Sequence, residues 1–375
     1  MRIRTTHVGS LPAPPGFDPT GVLKDAQLAE AVEWVVEQQR AAGIDIVNEG
    51  ELTKGGDWLA FIESRLGGFE PRAVPNRTSV MVQGKDREEF ADFYRWAAER
   101  QTLFFTADKR MQAVRRFQVC TGPIVYVGKP ALEREIAALS AVVPDPQDAF
   151  LTSTAPSSLE VYRSNEYYPT EEEFIVALSE ALRTEYEAIA AAGFLLQIDD
   201  AWLVALWDRI GIAMGLAEFK RRCALRIEAL NHALARIPEE RIRYHLCWGS
   251  WHGPHAHDLP LRDFVDVMLS VKARYYSFEA ANVRHEHEVE LWREVELPQE
   301  KVVIPGVVTH STDLIEHPRL VAERIKRFAR LVGAERVIAG TDCGFGGRTH
   351  PQIAWAKLRS LADGAALASR ELAAG

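Results

Sequence analysis

An amphipathic stretch, a glycine, and then a short run of nearly unbroken apolar residues recur in that order along the chain. The pattern appears at 29–50 (AEAVEWVVEQQRAAGIDIVNEG), at 180–200 (EALRTEYEAIAAAGFLLQIDD) and at 324–340 (RIKRFARLVGAERVIAG). The first part of each segment has helical apolar spacing, and each glycine stands where a helix C-cap belongs. The apolar run that follows reads as a strand buried on both faces. Helices alternating with such strands predict parallel βα units. Eight strand candidates follow: 6–10 (THVGS), 45–50 (DIVNEG), 149–155 (AFLTSTA), 194–200 (FLLQIDD), 243–247 (RYHLC), 275–280 (YYSFEA), 302–308 (VVIPGVV) and 336–343 (RVIAGTDC). Eight is the number for a (β/α)8 TIM barrel, so the expected fold is α/β, one barrel domain over 1–375. A ninth run, 115–129 (RRFQVCTGPIVYVGK), is broken by Gly-Pro. It is assigned to an insertion at about 60–130, a hairpin with helices after the second βα unit. Thr170 followed by Glu171, Glu172 and Glu173 predicts a capped helix start ahead of the fourth strand.

A chain of 375 residues with 47% hydrophobic content supports a large core. The formal charge of −9 with no basic stretch excludes a nucleic-acid partner. No run of eighteen apolar residues exists, so no membrane span is expected. The N-terminal MRIRTTHVGSLP has no apolar h-region of a signal peptide. Four cysteines in this length do not suggest a disulfide framework. Cytoplasm is the expected compartment, and a homo-oligomer is open.

Polar residues crowd the C-terminal ends of the strand candidates: Ser10, Glu49, Glu51, Asp199, Asp200, His245, Cys247, Glu279, His310, Asp342 and Cys343. In a barrel those ends form the active-site face. Four of them make a soft-metal ligand set: His245, Cys247, Glu279 and Cys343. His245 and Cys247 are two apart, so a strand points both to one face. A thiol entering such a zinc site would be held as a thiolate at neutral pH, which points to alkyl transfer to sulfur. The bland alternative is two buried small cysteines and a hydrogen-bonded core histidine. That reading is kept for Cys120 and Cys223. His252, His255 and His257 read as a polar loop turned by Gly253-Pro254 rather than as a second metal site.

With these residues in view, the chain resembles the catalytic domain of cobalamin-independent methionine synthase and the shorter single-domain proteins related to it. The latter include the zinc-dependent epoxyalkane:coenzyme M transferases. The resemblance runs from TTHVGS near residue 5 to GTDCG near residue 344. It implies zinc on His245, Cys247, Glu279 and Cys343. VGS implies that Ser10 holds a substrate carboxylate; NEGEL and QIDDAWL imply ligand roles for Glu51 and Asp199. GVVTHS implies a histidine acid at His310, and LTSTAPSSLEVY implies a donor-stacking aromatic at Tyr162. The family's Glu-Pro after Asp199 is here Asp200-Ala201, and Tyr162 stands where the family has tryptophan. The chain has no room for the duplicated N-terminal domain of the full synthase.

The expected function is therefore a zinc-dependent thiol S-methyltransferase. The donor is a methylated folate, a corrinoid or a similar small compound, and the acceptor is homocysteine or a related thiol. One alternative is an epoxyalkane:coenzyme M transferase that opens an epoxide with the same thiolate. For a sulfonate thiol the available cations are Arg4, Lys54 and Arg284. A third reading is a metal-free barrel of the uroporphyrinogen decarboxylase type or a binding barrel; the cysteines speak against it.

Overall fold

Ten strands form two sheets in the computed structural model, which describes residues 2–18, 24–54, 60–72, 83–100, 102–103, 117–161 and 163–374. In chain order the strands are β1 (Arg4–Thr5), β2 (Leu66–Arg72), β3 (Phe117–Tyr126), β4 (Phe150–Thr154), β5 (Arg163–Asn165), β6 (Leu195–Asp200), β7 (Ile242–Leu246), β8 (Tyr275–Phe278), β9 (Val302–Val308) and β10 (Ile338–Thr341). Seven make one sheet in the order β1-β10-β9-β8-β7-β6-β4, with every pairing parallel. The fold is mixed α/β. Every residue of β4, β7 and β9 is buried, as expected for strands covered on both faces.

The sheet curls. Ile46, Phe150, Leu195, Ile304 and Ile338, drawn from distant parts of the sheet, meet in one apolar cluster. A flat sheet would keep these side chains apart. The two outer strands, β1 and β4, are bridged by the segment 45–48. Ile46 N donates to Thr5 O at 3.0 Å, Val47 N donates to Asp148 O at 3.0 Å, and Phe150 N donates to Val47 O at 3.0 Å.

Helices cover the outside. Asp25–Ala41 and Glu171–Ala191 each end at a glycine in the left-handed region, Gly43 at φ 87° and Gly193 at φ 88°. Glycine takes that backbone without the clash a Cβ brings. The second helix starts as the sequence implies: Thr170 Oγ1 accepts from Glu173 N at 3.1 Å. Its apolar stripe of Ile175, Leu178, Leu182 and Ile189 is buried toward the sheet. No described helix is long and apolar enough to cross a membrane.

The remaining strands form a small sheet, β2-β3-β5. β2 and β3 pair antiparallel, and helices Lys85–Glu89 and Ala91–Arg100 lie between them in the chain. β5 adds in parallel to β3 from outside the expected insertion. A buried ionic knot fixes this sheet to the larger one. Arg65, just before β2, donates to Glu185 Oε2 at 2.9 Å and Glu135 Oε1 at 2.5 Å. Tyr126 at the end of β3 and Ser153 in β4 donate to the same Glu185 carboxylate, at 2.6 and 2.7 Å.

Candidate active site

Because the seven strands are parallel, their C-terminal ends share one edge. In β6, β7 and β8, Asp199, His245 and Ser277 stand side by side in register. One ligand atom each from His245, Cys247 and Cys343 lies within 4.8 Å of the others, and all three residues are buried. His245 Nδ1 contacts Ser277 Oγ at 3.1 Å, while its Nε2 is buried without a hydrogen-bond partner. One ring nitrogen is thus oriented and the other is left to ligate, the usual arrangement around metal-binding histidines. Glu279 lies beside this group, its Oε1 at 3.6 Å from Cys247 Sγ and accepting from Trp248 N at 3.0 Å. An unpartnered imidazole nitrogen, two thiols and a carboxylate fit zinc by chemistry and by number.

Neighbouring groups set the charge of the cluster. Cys343 is held well below the ordinary thiol range by its bond from the Cys247 thiol and by the Arg348 guanidinium, whose Nη1 lies 2.8 Å from its sulfur. Donation to Cys343, together with burial, pushes Cys247 up. Burial raises Glu279 to about 7. Asp342, next to Cys343, ties the two strand ends together. Its Oδ1 accepts from Ala280 N at 2.8 Å and Ala281 N at 2.9 Å, which fixes the backbone just after Glu279. Gly306 makes room for it: a Cβ there would stand 2.0 Å from Asp342 Oδ1.

A second group lies where the loops after β1 and after segment 45–48 meet. Glu51 has a positive φ of 55°, rare for a residue with a side chain and more often found at functional sites. Its Oε1 accepts from Thr152 Oγ1 at 2.7 Å and lies 3.9 Å from Lys54 Nζ. Lys54 Nζ also donates to Thr152 O at 2.7 Å. Burial opposes the charge on Lys54, but Glu51 and Glu49 more than offset this and leave its pKa raised. Burial and the nearby Glu51 raise Asp199 to about 7, and burial raises Glu49 to about 8. Gly9 has to be glycine here, since a Cβ would lie 2.3 Å from Glu51 Oε1. Ser10 O accepts from Phe345 N at 2.8 Å and Gly346 N at 3.0 Å, so the Ser10 loop is bonded to the loop after Cys343.

A cavity of about 430 Å³ opens against this edge, with Glu279 and His310 in its lining and Phe93, Trp96 and Trp251 among its apolar walls. The helix carrying Phe93 and Trp96 reaches it from the insertion. Buried Asp86 pins the insertion there by accepting from His255 N and Ala256 N at 3.1 and 2.9 Å. His310 is buried, its Nδ1 has no partner, and burial lowers its pKa to about 4. It is uncharged at neutral pH.

His285 is held between two carboxylates, with Nδ1 at 2.9 Å from Glu288 and Nε2 at 3.3 Å from Asp258. Both nitrogens face acceptors, so both carry hydrogen. Burial opposes that charge, but Asp258 and Glu288 raise the pKa to about 10. A folded pKa above the ordinary 6.5 stabilises fully below 6.5 and loses its contribution as pH rises through about 10. Trp248, whose ring lies 4.4 Å from His285, reports on this wall. The expected result is a melting temperature and Trp248 fluorescence that fall over that window in the wild type and stay flatter in His285→Gln. Equal falls in both proteins would remove the assignment.

Several expectations need correction. Asp200 does not face the site: it accepts from Ser157 and Ser158, both at 2.8 Å, and from Tyr244 at 2.9 Å. Adjacent strand residues point to opposite faces, so Asp199 and Asp200 could not both face inward. Arg4 is not near a thiol site. It pairs with Asp148, which precedes β4, and so lies at the opposite edge. Arg284 is exposed and donates to Ala256 O at 3.2 Å. Of the three cations named for a sulfonate, Lys54 is beside Glu51 and Arg284 lines the cavity, while Arg4 is at neither. His255 is taken up by Asp258 at 3.0 Å and Trp251 O at 3.1 Å, as a loop histidine would be. Tyr162 lies outside the described residues. Arg348 and Asp342's backbone bonds were not foreseen, and no short motif signals either.

No family model matches the chain. A methionine synthase of Thermococcus kodakarensis is 23% identical over 98% of this chain and 94% of its own length. A 2-hydroxypropyl-CoM lyase of Xanthobacter autotrophicus is 22% identical over 100% of this chain and 96% of its own. A solved B12-independent methionine synthase from a Shewanella species superposes with a TM-score of 0.72 at 20% identity, covering 100% of both chains. Over nearly its whole length, then, the chain is similar to proteins named methionine synthase and to a 2-hydroxypropyl-CoM lyase, in line with the resemblance its motifs carry.

Proposed function

We infer that this protein is a zinc-dependent thiol S-methyltransferase of the methionine synthase type, with homocysteine or a related amino-acid thiol as acceptor. The observation that carries the reading is the convergence of His245, Cys247 and Cys343 within 4.8 Å, buried, with Glu279 alongside. The relatives named methionine synthase support the same reaction class. The reading takes segment 45–48 as the eighth stave of a closed (β/α)8 barrel forming one domain.

His245, Cys247, Cys343 and Glu279 would hold the zinc. When bound, it supplies Lewis acidity that keeps an incoming thiol deprotonated at neutral pH. The remaining work belongs to the chain. Glu51 and Asp199 take the acceptor's ammonium through charge-assisted bonds, and Ser10 lies beside its carboxylate. The cavity walled by Phe93, Trp96 and Trp251 receives the donor and excludes water around the transferred methyl group. His310 lines that cavity. As it is uncharged when free, it must gain a proton with the bound donor before it can protonate a leaving group.

The alternative with a specific observation behind it is alkyl transfer to a sulfonate thiol. It is favoured by the CoM-lyase relative and by the two cations, Lys54 and Arg348, at the site. Thermal shift of the zinc-loaded protein separates the two. Homocysteine is expected to raise the melting temperature, and methionine to appear by mass spectrometry when a competent donor is added. Stabilisation by 2-mercaptoethanesulfonate and not by homocysteine would reverse the ranking.

A further inference from the structure

We propose that Arg348 determines acceptor specificity by binding the acid group, carboxylate or sulfonate, of the incoming thiol. The proposal rests on the thiol-transfer reading above and adds a residue to it. Arg348 Nη1 donates to Cys343 Sγ at 2.8 Å, which fixes the guanidinium beside the ligand cluster. Among the described residues no carboxylate pairs with it. Its Nε is buried and has no hydrogen-bond partner. A buried donor without an acceptor is unfavourable, and an acid group on the substrate relieves it.

The loop geometry says where that acid group would come from. Arg348 N donates to Phe345 O at 3.1 Å, and Phe345 N and Gly346 N donate to Ser10 O. Arg348 is thereby held between the Cys343 sulfur and the Ser10 loop. Glu51, in the turn after segment 45–48, and Asp199, near the end of β6, repel an acid group and attract an amine. The site thus offers both a cation and carboxylates to a zwitterion. A thiol whose sulfur sits at the cluster and whose acid group lies a few carbons away meets the guanidinium. A neutral thiol offers it at most an uncharged acceptor, which makes a weaker bond.

The test is calorimetric binding of three thiols to zinc-loaded protein: homocysteine, 2-mercaptoethanesulfonate and 2-mercaptoethanol. Wild-type protein is expected to prefer both acid-bearing thiols. Compared in protein loaded with one zinc per chain, Arg348→Met should weaken those two by about 10- to 100-fold more than it weakens 2-mercaptoethanol. Arg348→Lys should recover part of the preference, and Arg348→Gln serves as the second variant if methionine impairs folding. Equal weakening of all three thiols in zinc-loaded protein would overturn the proposal by assigning Arg348 to the metal cluster alone. An unchanged preference in a variant that still holds zinc would overturn it too, and would leave the thiol-transfer reading standing. Wild-type protein that holds no zinc strikes the thiol-transfer reading itself.

Discussion

Cys343→Ser is expected to lose its zinc and its thiol-transfer activity together. The serine hydroxyl stays protonated at neutral pH and is a poor soft-metal ligand, so the set falls to His245, Cys247 and Glu279. Changes one layer outside a metal site already cost 10- to 100-fold in affinity or activity, and loss of a ligand should exceed about a hundredfold. Arg348 adds to the effect, since its Nη1 would lose the sulfur it bonds at 2.8 Å. Zinc retention should be measured by competition with a chromophoric chelator, and activity by thioether formation. A Cys343→Ser protein with full activity would favour the metal-free barrel reading.

Arg65→Met is expected to give the largest loss of stability. The substitution removes the cation between Glu135 and Glu185, whose side chains are 3% and 0% exposed. Breaking a buried pair from one side costs about 3–5 kcal/mol, because the remaining charge is uncompensated. Glu185 carries the pH signature. Burial opposes its charge, but Arg65, Tyr126 and Ser153 hold its pKa below the ordinary 4.5. A depressed carboxylate contributes stability above the unfolded pKa and loses it as pH falls through the folded value. Urea midpoints should therefore drop on acidification below about pH 4.5 in the wild type and change less in Arg65→Met. The double change Arg65→Met with Glu185→Gln should recover part of the loss. A single variant with a wild-type midpoint would show that the small sheet is held by other contacts.

Six of the eight strand candidates were legible because buried parallel strands are short apolar runs and helices keep their own spacing, whereas 45–50 makes only an isolated bridge at Val47. The glycines at 43 and 193 fell where a helix must stop and turn. Two strands were harder. The run 6–10 is not paired in the sheet; the ladder ends at Thr5, and the chain turns off it at Gly9 with φ 147°. β5 is only Arg163–Asn165, three residues without an apolar alternation, so no local pattern reveals it. The ligand cluster was readable because His245 and Cys247 share a strand face and Cys343 ends another strand. Arg348 was not readable, because its contact with Cys343 depends on how the loop from 343 to 348 folds over Ser10. Lys54 and Arg284 read in the sequence as two of three cations, and it takes the packing to separate them from Arg4. Asp199 and Asp200 both end β6, and because neighbours on a strand face opposite ways only Asp199 turns to the site.

Thiolate chemistry in this protein requires the metal. Zinc content per chain, measured by metal-specific mass spectrometry on protein purified without added metal, tests it most directly. About one zinc per chain is the expected result, falling sharply in Cys343→Ser. Protein that carries none, and takes up none when zinc is supplied, would contradict the thiolate mechanism and leave the fold without its proposed chemistry.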